Sequence, residues 1–186
     1  MTKVFLGGSR HVSRLDPAVR TRLDRIIDKD LPIVLGDANG ADRAFQQYLY
    51  ARHYRNVEVF CSGNVCRNNL GGWDQRTIVP GTQSRSFAFF AAKDREMARQ
   101  ARFGLMVWDG RSSGTILNVL RLLRQGKKVA VYSVPEKQFI DLSAYDQWDD
   151  FISRYDEEVR AAIDARLVPE DLIEGEGQLV MQASAP

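Results

Sequence analysis

The chain is poor in cysteine, has no long apolar run and shows little excess of either charge sign. Its two cysteines, Cys61 and Cys66, have no histidines at zinc-finger spacing and are too few for a disulfide framework, so we expect two reduced thiols and no metal site. No stretch approaches the ~18 apolar residues of a membrane span. The first ten residues also lack the apolar core of a secretory signal. These absences predict a cytoplasmic protein with no membrane partner.

The composition is that of a soluble globular protein, with 44% apolar and 27% charged residues among 186. A net charge of +2 hides an asymmetry between the two ends of the chain. Residues 1–134 hold 22 Lys and Arg against 11 Asp and Glu, whereas residues 135–186 hold 4 against 13. We therefore predict a basic domain over 1–134 and an acidic helical extension over 135–186 that ends in a disordered tail. The basic domain favours phosphates or nucleic acid, unless the acidic segment simply packs on it.

Short apolar runs alternate with segments of helical spacing along the first 134 residues. This alternation predicts a Rossmann-like three-layer α/β fold with about five parallel strands in the order 3-2-1-4-5. The predicted strands are Lys3–Leu6, Pro32–Leu35, Val57–Phe60, Phe103–Trp108 and Lys128–Ser133. The predicted helices are Leu15–Ile27, Ala41–His53, Phe87–Arg102 with Ser86 as its cap, and Thr115–Gln125. Beyond them, only 144–166 has helical spacing.

In an open sheet of this order, ligands bind beyond the carboxyl ends of strands one and four, where the strand order reverses. Both strands end in loops rich in glycine and hydroxyl groups, Gly7–Arg10 and Asp109–Thr115. Glycines allow backbone N–H groups to face an anion, and the helix after the second loop adds positive potential at its start. The alternative interpretation is a pair of tight turns with ordinary Ser and Thr helix caps.

The loop after strand two has the sequence GDANGAD and also opens a helix. It is neither a Walker A loop nor a GxGxxG motif, so it supports neither an ATPase nor a dehydrogenase. Its small residues let a ligand approach the backbone, which makes Gly36, Asp37, Asn39 and Gly40 candidate binding residues. Asp42 is better explained as a structural cap or loop support.

Two further residues outside these loops are candidates for the site. Asp94 lies on the core-facing stripe of its helix, where a carboxylate needs partners such as loop N–H groups or ribose hydroxyls. Trp73 lies in the long segment 61–85, which also carries Arg67, Arg76 and Arg85. Trp73 could stack on a base or serve as a local hydrophobic anchor, and the arginines could contact phosphates.

The three loops, GGSR, GDANGAD and WDGRSSGT, together resemble the SLOG superfamily, most of all its YspA/YpsA-related branch. That superfamily includes the LOG cytokinin-activating phosphoribohydrolases, the DNA-processing protein DprA and nucleotide-sensing domains of bacterial conflict systems. The resemblance covers about residues 1–134 and implies recognition of nucleotides or nucleotide-derived sugars such as ADP-ribose. By position it implies that Gly8, Ser9 and Arg10 border the ligand and that the second loop holds phosphate through Gly110, Ser112, Ser113, Gly114 and Thr115.

One position departs from the LOG pattern. The LOG enzymes and the related nucleoside deoxyribosyltransferases carry a glutamate three residues after the Gly-Thr pair, and this chain has Asn118 there. An amide cannot act as a carboxylate nucleophile or general base. Asn118 is therefore predicted to contact the ligand without cleaving it, and Asp94, Asp37 or Asp109 would have to supply any catalytic carboxylate.

These observations rank three functions. The first is a sensor or adaptor that binds a nucleotide or nucleotide-derived sugar phosphate without a cofactor. The second is a nucleotide N-glycosidase or phosphoribohydrolase, with Asp94 as the candidate catalytic residue. The third is DprA-like binding of single-stranded DNA, which the basic charge favours but the core-like spacing of the aromatic residues does not. The sequence leaves homo-oligomer formation open.

Overall fold

Seven strands form one sheet in the computed structural model, which describes residues 2–79 and 86–172. The strands are β1 (Val4–Gly8), β2 (Ile33–Gly36), β3 (Val57–Ser62), β4 (Asp74–Ile78), β5 (Phe103–Trp108), β6 (Lys128–Ser133) and β7 (Gln138–Leu142). Their order is β4-β3-β2-β1-β5-β6-β7, and all neighbours are parallel except β7, which runs antiparallel to β6. The fold is α/β, with a mostly parallel sheet between two layers of helices.

In the part of the chain that the structure describes, six α-helices cover the two faces of the sheet: α1 (Pro17–Asp28), α2 (Ala41–Ala51), α3 (Phe87–Gln100), α4 (Ser113–Arg124), α5 (Trp148–Ile152) and α6 (Glu157–Asp164). Apolar residues of α1 and α2 pack on one face, and those of α3 to α6 pack on the other. Helix α1 begins at the Asp16-Pro17 pair, where the Asp16 carboxylate accepts a hydrogen bond from the Ala18 N–H. No helix within the described ranges is long and apolar enough to cross a membrane.

The five predicted strands are present in the predicted order, but the sheet has two more strands than the sequence indicates. Strand β4 lies at an edge of the sheet, and four of its five residues are exposed. Such a strand needs no apolar alternation, so its sequence DQRTI carries none of the pattern that marks a buried strand. Strand β7 lies beyond Pro135, in the segment for which only helices are predicted.

The acidic extension shares the core of the basic domain. It begins with β7, which continues the sheet, and then turns into the short helices α5 and α6 with a break between them. Trp148 and Phe151 of α5 are buried beside Trp108 of β5, and Ile163 of α6 joins the same apolar cluster. The tail predicted to be disordered, and also Arg85, lie outside the described residues.

The two cysteines are joined to each other. Cys61, at the end of β3, and Cys66, in the following loop, form a disulfide with their Cα atoms 5.2 Å apart. The prediction of two reduced thiols is therefore wrong for this structure. The spacing of the cysteines does not indicate this bond. The four residues between them turn the chain back onto β3, and only the folded backbone reveals that turn.

A buried ion pair fastens the end of the extension to the domain. The Asp171 side chain is fully buried and accepts hydrogen bonds from Arg121 of α4 (2.7 Å) and Arg95 of α3 (2.8 Å). Burial would raise the pKa of Asp171, but the hydrogen bonds and charges of the two arginines outweigh it and lower that pKa. The carboxylate is thus ionised at neutral pH and draws the extension onto both helices.

Replacing Asp171 by alanine should lower the free energy of unfolding by about 3 kcal/mol, because it leaves the buried Arg121 guanidinium without its counter-charge. The matched control is Glu157→Ala, which removes an exposed partner of Arg160 and should cost less than about 1 kcal/mol. Urea unfolding of the three proteins measures the difference. Equal losses in the two variants would contradict the anchoring role of Asp171.

Candidate functional site

A cleft of about 1100 Å³ opens beyond the carboxyl ends of β1 and β5. These two strands are neighbours at the point where the strand order reverses, the place where open α/β sheets bind ligands. The structure brings ten of the predicted site residues together in its lining: Gly8, Ser9, Arg10, Asp94, Asp109, Ser112, Ser113, Gly114, Thr115 and Asn118. The glycine-rich loops that follow β1 and β5 thus meet in one cavity.

Ser9 connects the loops around the cleft. Its hydroxyl accepts a hydrogen bond from the Asp109 N–H (3.1 Å) and lies 3.1 Å from the Thr115 hydroxyl. Its carbonyl accepts one from the N–H of Ala41, at the start of α2. Ser9 is only 1% exposed, so its side chain serves mainly to hold the loops in place.

Asp109 already accepts hydrogen bonds from some of the loop donors that the sequence analysis assigns to a phosphate. Its carboxylate accepts hydrogen bonds from the N–H groups of Arg111 and Ser112 and from the Ser112 hydroxyl. Burial would raise the pKa of Asp109, but these bonds outweigh it and lower the pKa. The N–H groups still without a helical acceptor are those in the first turn of α4, at Ser113 and Gly114.

The glycines of the two loops serve different purposes. A Cβ at Gly8 would lie 2.5 Å from the Val107 carbonyl oxygen and 2.7 Å from the Cβ of Ala41, so close packing alone requires glycine there. A Cβ at Gly114 would meet only the Phe87 ring, at 3.5 Å, an ordinary contact. The absence of a side chain at Gly114 is therefore not demanded by packing, and it leaves the first turn of α4 open to the cleft.

A buried lysine, absent from the sequence predictions, lies at the base of the cleft. Lys93 is 4% exposed, and its Nζ lies 2.8 Å from the Asp94 Oδ1 and 3.9 Å from the Asp42 Oδ2. Burial would lower the pKa of Lys93, but the charges of Asp94 and Asp42 and the hydrogen bond to Asp94 outweigh it and raise the pKa. Lys93 is three residues after Phe90 and four before Met97, a spacing that could have placed it on the buried stripe.

Gly36 and Asp42, at the two ends of the loop between β2 and α2, accommodate this lysine. A Cβ at Gly36 would lie 2.4 Å from the Lys93 Nζ and 2.3 Å from an Asp42 carboxylate oxygen, so glycine leaves the space that both side chains occupy. Asp42 also accepts a hydrogen bond from the Ala38 N–H, which makes it a support for the loop in front of α2. Burial raises the pKa of Asp42 to about 6, although the nearby Lys93 charge works to lower it.

Asn118 and Asp94 are joined in a chain of hydrogen bonds. The Asn118 amide donates to Asp94 at 3.4 Å, and its carbonyl oxygen accepts from the Arg121 guanidinium. Arg121 can only donate, so it fixes the orientation in which the amide N–H₂ faces Asp94. A glutamate at position 118 could not donate this bond and would set two carboxylates against each other.

Six predicted binding residues lie outside the cleft lining. Trp73 is buried in the core and donates its indole N–H to the Tyr54 carbonyl at 2.8 Å, so it is a hydrophobic anchor and not a stacking platform. Gly36 makes room for Lys93, as described above. Gly40 and Gly110 adopt positive φ angles of 81° and 84°, and a Cβ at Gly40 would strike the Arg10 carbonyl.

Asp37 and Asn39 act on the loop that follows the disulfide. Asp37 is 1% exposed and accepts hydrogen bonds from the backbone N–H and the guanidinium of Arg67, the shortest at 2.6 Å. These bonds outweigh burial and lower the pKa of Asp37. Asn39 accepts a hydrogen bond from Asn68. The disulfide and Asp37 together place Arg67 at the edge of the cleft.

Aromatic rings and arginines form the remaining walls. Phe87 and Phe90 of α3 line the cleft, and the guanidinium carbons of Arg67 and Arg166 lie 4.7 Å and 4.9 Å from the ring centroids of Phe90 and Phe87. Sequence reasoning missed both phenylalanines as site residues, although their place on α3 beside Asp94 was visible. It could not have found Arg166, which reaches the cleft from beyond α6.

Cations outnumber carboxylates in this lining. Its charged residues are Arg10, Arg67, Lys93, Arg111 and Arg166, against Asp42, Asp94 and Asp109. Asp109 is occupied by its own loop, Asp42 and Asp94 share Lys93, and Arg67 pairs with Asp37. Among the described residues, the lining cations without a carboxylate partner are Arg10, Arg111 and Arg166. The open part of the cleft therefore carries positive potential suited to an anion.

The atoms of Asp37, Cys61 and Cys66 lie within 4.8 Å of one another, as in a metal site. The two sulfurs are bonded together and offer no thiolate, while Asp37 already binds Arg67. This group therefore stabilises the loop instead of presenting a set of metal ligands.

Comparison of the chain with protein-family models, with curated proteins and with solved structures found no match.

The raised pKa of Asp42 gives a test of the cluster at the base of the cleft. A folded-state pKa of about 6 against an unfolded value near 3.8 means that the native state binds the proton more tightly. The resulting stabilisation is complete below about pH 4 and is lost as the pH rises through 6. Relative to wild type, Asp42→Asn should thus gain up to about 3 kcal/mol of unfolding free energy between pH 4 and pH 7. Urea unfolding across this range measures it, and a constant difference would contradict the assignment.

Proposed function

We propose that the cleft binds a nucleotide or a nucleotide-derived sugar phosphate such as ADP-ribose, and that the protein is a sensor or adaptor of SLOG type. The observation that carries this proposal is the excess of cations in the cleft beyond β1 and β5. The SLOG resemblance and the location of the cleft at the reversal of strand order are consistent with it. A volume of about 1100 Å³ is at the upper end of ordinary ligand pockets, which suits a ligand with two sugar or base units.

Each part of such a ligand has a counterpart in the cleft. Phosphate oxygens would accept hydrogen bonds from the first-turn N–H groups of α4 at Ser113 and Gly114. The Asp94 carboxylate, which is 22% exposed, would accept bonds from ribose hydroxyls. Phe87 and Phe90 would supply apolar surface for a base or sugar face.

The expected binding can be tested with ADP-ribose and AMP as probes in a thermal-shift assay and by calorimetry. A probe at about 100 times its Kd should stabilise the wild-type protein by roughly 2.7 kcal/mol. Gly114→Val should abolish the shift, because its side chain fills the space before the first turn of α4, and Gly114→Ala should weaken it less.

Both glycine variants should keep the circular dichroism spectrum of the wild type, because a Cβ at Gly114 makes only an ordinary contact. Unchanged affinity in a folded Gly114→Val protein would remove this turn from the site. A wild type that binds none of the probes would refute the proposal itself.

A second candidate function is cleavage of the ligand's N-glycosidic bond, and the contact between Asp94 and Asn118 is the observation that favours it. A carboxylate from α3 lies next to the position where the LOG pattern places a glutamate. It lines the cleft and lies 2.8 Å from the Lys93 ammonium nitrogen. In this role Asp94 would stabilise positive charge developing at the anomeric carbon of the sugar.

Incubation of wild-type protein with AMP, CMP and ADP-ribose should produce no free base by chromatography if the sensor proposal is correct. The reason is that Asp94 is held by both Lys93 and Asn118 and is a weak nucleophile in that setting. Base release that disappears in Asp94→Asn would favour the enzyme. The control is Asp24→Asn, which alters a carboxylate on α1 that pairs with Arg52.

The cytoplasm is the proposed location, since nucleotides and their sugar derivatives are abundant inside cells. Disulfides are rare in that reducing compartment. In the cytoplasm we therefore expect the Cys61–Cys66 bond to be reduced, which would release Arg67 from one of its two constraints.

A further inference from the structure

The acidic extension contributes a cation to the cleft. Only four of the residues from 135 to 186 are basic, against thirteen acidic ones, and one of the four, Arg166, lines the cavity together with Ala162. The Arg166 guanidinium donates a hydrogen bond to the Ser113 hydroxyl, in the first turn of α4, and lies over the Phe87 ring.

This arginine has no counter-charge among residues 2–79 and 86–172. Its contacts there are a neutral hydroxyl and an aromatic ring, and no carboxylate of those residues lies within 4.0 Å of its guanidinium nitrogens. By contrast, Arg95 and Arg121 pair with Asp171, and Arg160 pairs with Glu157. Among the described residues, these three arginines therefore have carboxylate partners and Arg166 has none.

Arg166 is an exposed residue whose guanidinium lies beside the first turn of α4. A helix carries positive potential at its N-terminus, so a cation beside the first turn of α4 is repelled. The segment that carries Arg166 is nevertheless held beside α4, because Asp171, five residues after Arg166, forms a buried ion pair with Arg121. A phosphate between the guanidinium and the first-turn N–H groups would convert this repulsion into two attractive contacts.

We infer that Arg166 and the first turn of α4 form the subsite for the ligand's phosphate, so that the acidic extension is an integral wall of the binding site. This inference rests on the proposed function and deepens it, because it adds a cation from the segment after α6 to the phosphate end of the ligand. Recognition at this subsite depends on the phosphate and is indifferent to the base.

The test compares Arg166→Gln with wild type in binding of ADP-ribose, AMP, inorganic pyrophosphate and adenosine, measured by calorimetry. The three phosphorylated probes should lose about 10- to 100-fold in affinity, the effect of a charge-assisted hydrogen bond. Adenosine affinity, whatever its strength, should change by less than about twofold. Arg166→Lys keeps the charge and should recover part of the loss. Arg160→Gln, on α6 but paired at the surface, is the control and should bind every probe like wild type.

The outcomes separate this inference from the proposed function. Tight binding of ADP-ribose by both wild type and Arg166→Gln would overturn the subsite and leave the proposed function standing. Arg166-dependent binding of pyrophosphate alone, with no nucleotide bound, would support the subsite and refute the proposed function. Equal losses for adenosine and the phosphorylated probes would also overturn the subsite, since they would indicate a general structural effect. Failure of wild type to bind any probe would overturn both.

Discussion

The burial of the Lys93 ammonium group at the base of the cleft is the constraint on which the site depends. A charge with 4% exposure is tolerated only when carboxylates surround it, and Asp42 and Asp94 do so. Their side chains in turn require the empty space at Gly36. The Lys93 side chain of α3 therefore explains the glycine at position 36, in the loop between β2 and α2, without a ligand near its backbone.

The same network reaches the acidic extension. Asp94 is bonded to Asn118, Asn118 to Arg121, and Arg121 to the buried Asp171. Because each partner in this chain constrains the donors and acceptors of the next, the extension is not an independent appendage. Its aromatic residues complete the apolar layer over β5, and Arg166 closes one wall of the cleft. The basic domain and the acidic extension thus form one cavity from charges of both signs.

A sensor and a hydrolase would use this cavity differently. A sensor needs a ligand-dependent contact that alters another part of the chain, and the bonded series from Asp94 to Asp171 links the cleft to the extension. A hydrolase needs a carboxylate free to attack or to stabilise charge at the sugar. Asp94 is divided between Lys93 and Asn118, which suits a positioned hydrogen-bond acceptor better than a nucleophile. This arrangement is the reason for proposing binding over cleavage.

The sequence by itself determined the α/β class, the order of the five central strands and the meeting of two glycine-rich loops, because apolar periodicity and loop composition are local properties of the chain. It also marked Asp94 as a carboxylate in need of partners. Only the tertiary structure decided that the partners of Asp94 are Lys93 and Asn118. It also decided that Trp73 is an anchor in the core and that Cys61 and Cys66 are bonded to each other. It alone placed the exposed strand β4 at a sheet edge and Arg166 at the cleft. The physical reason is that these features depend on contacts between residues far apart in the chain or on turns that return it to itself, and neither leaves a periodic trace in the sequence.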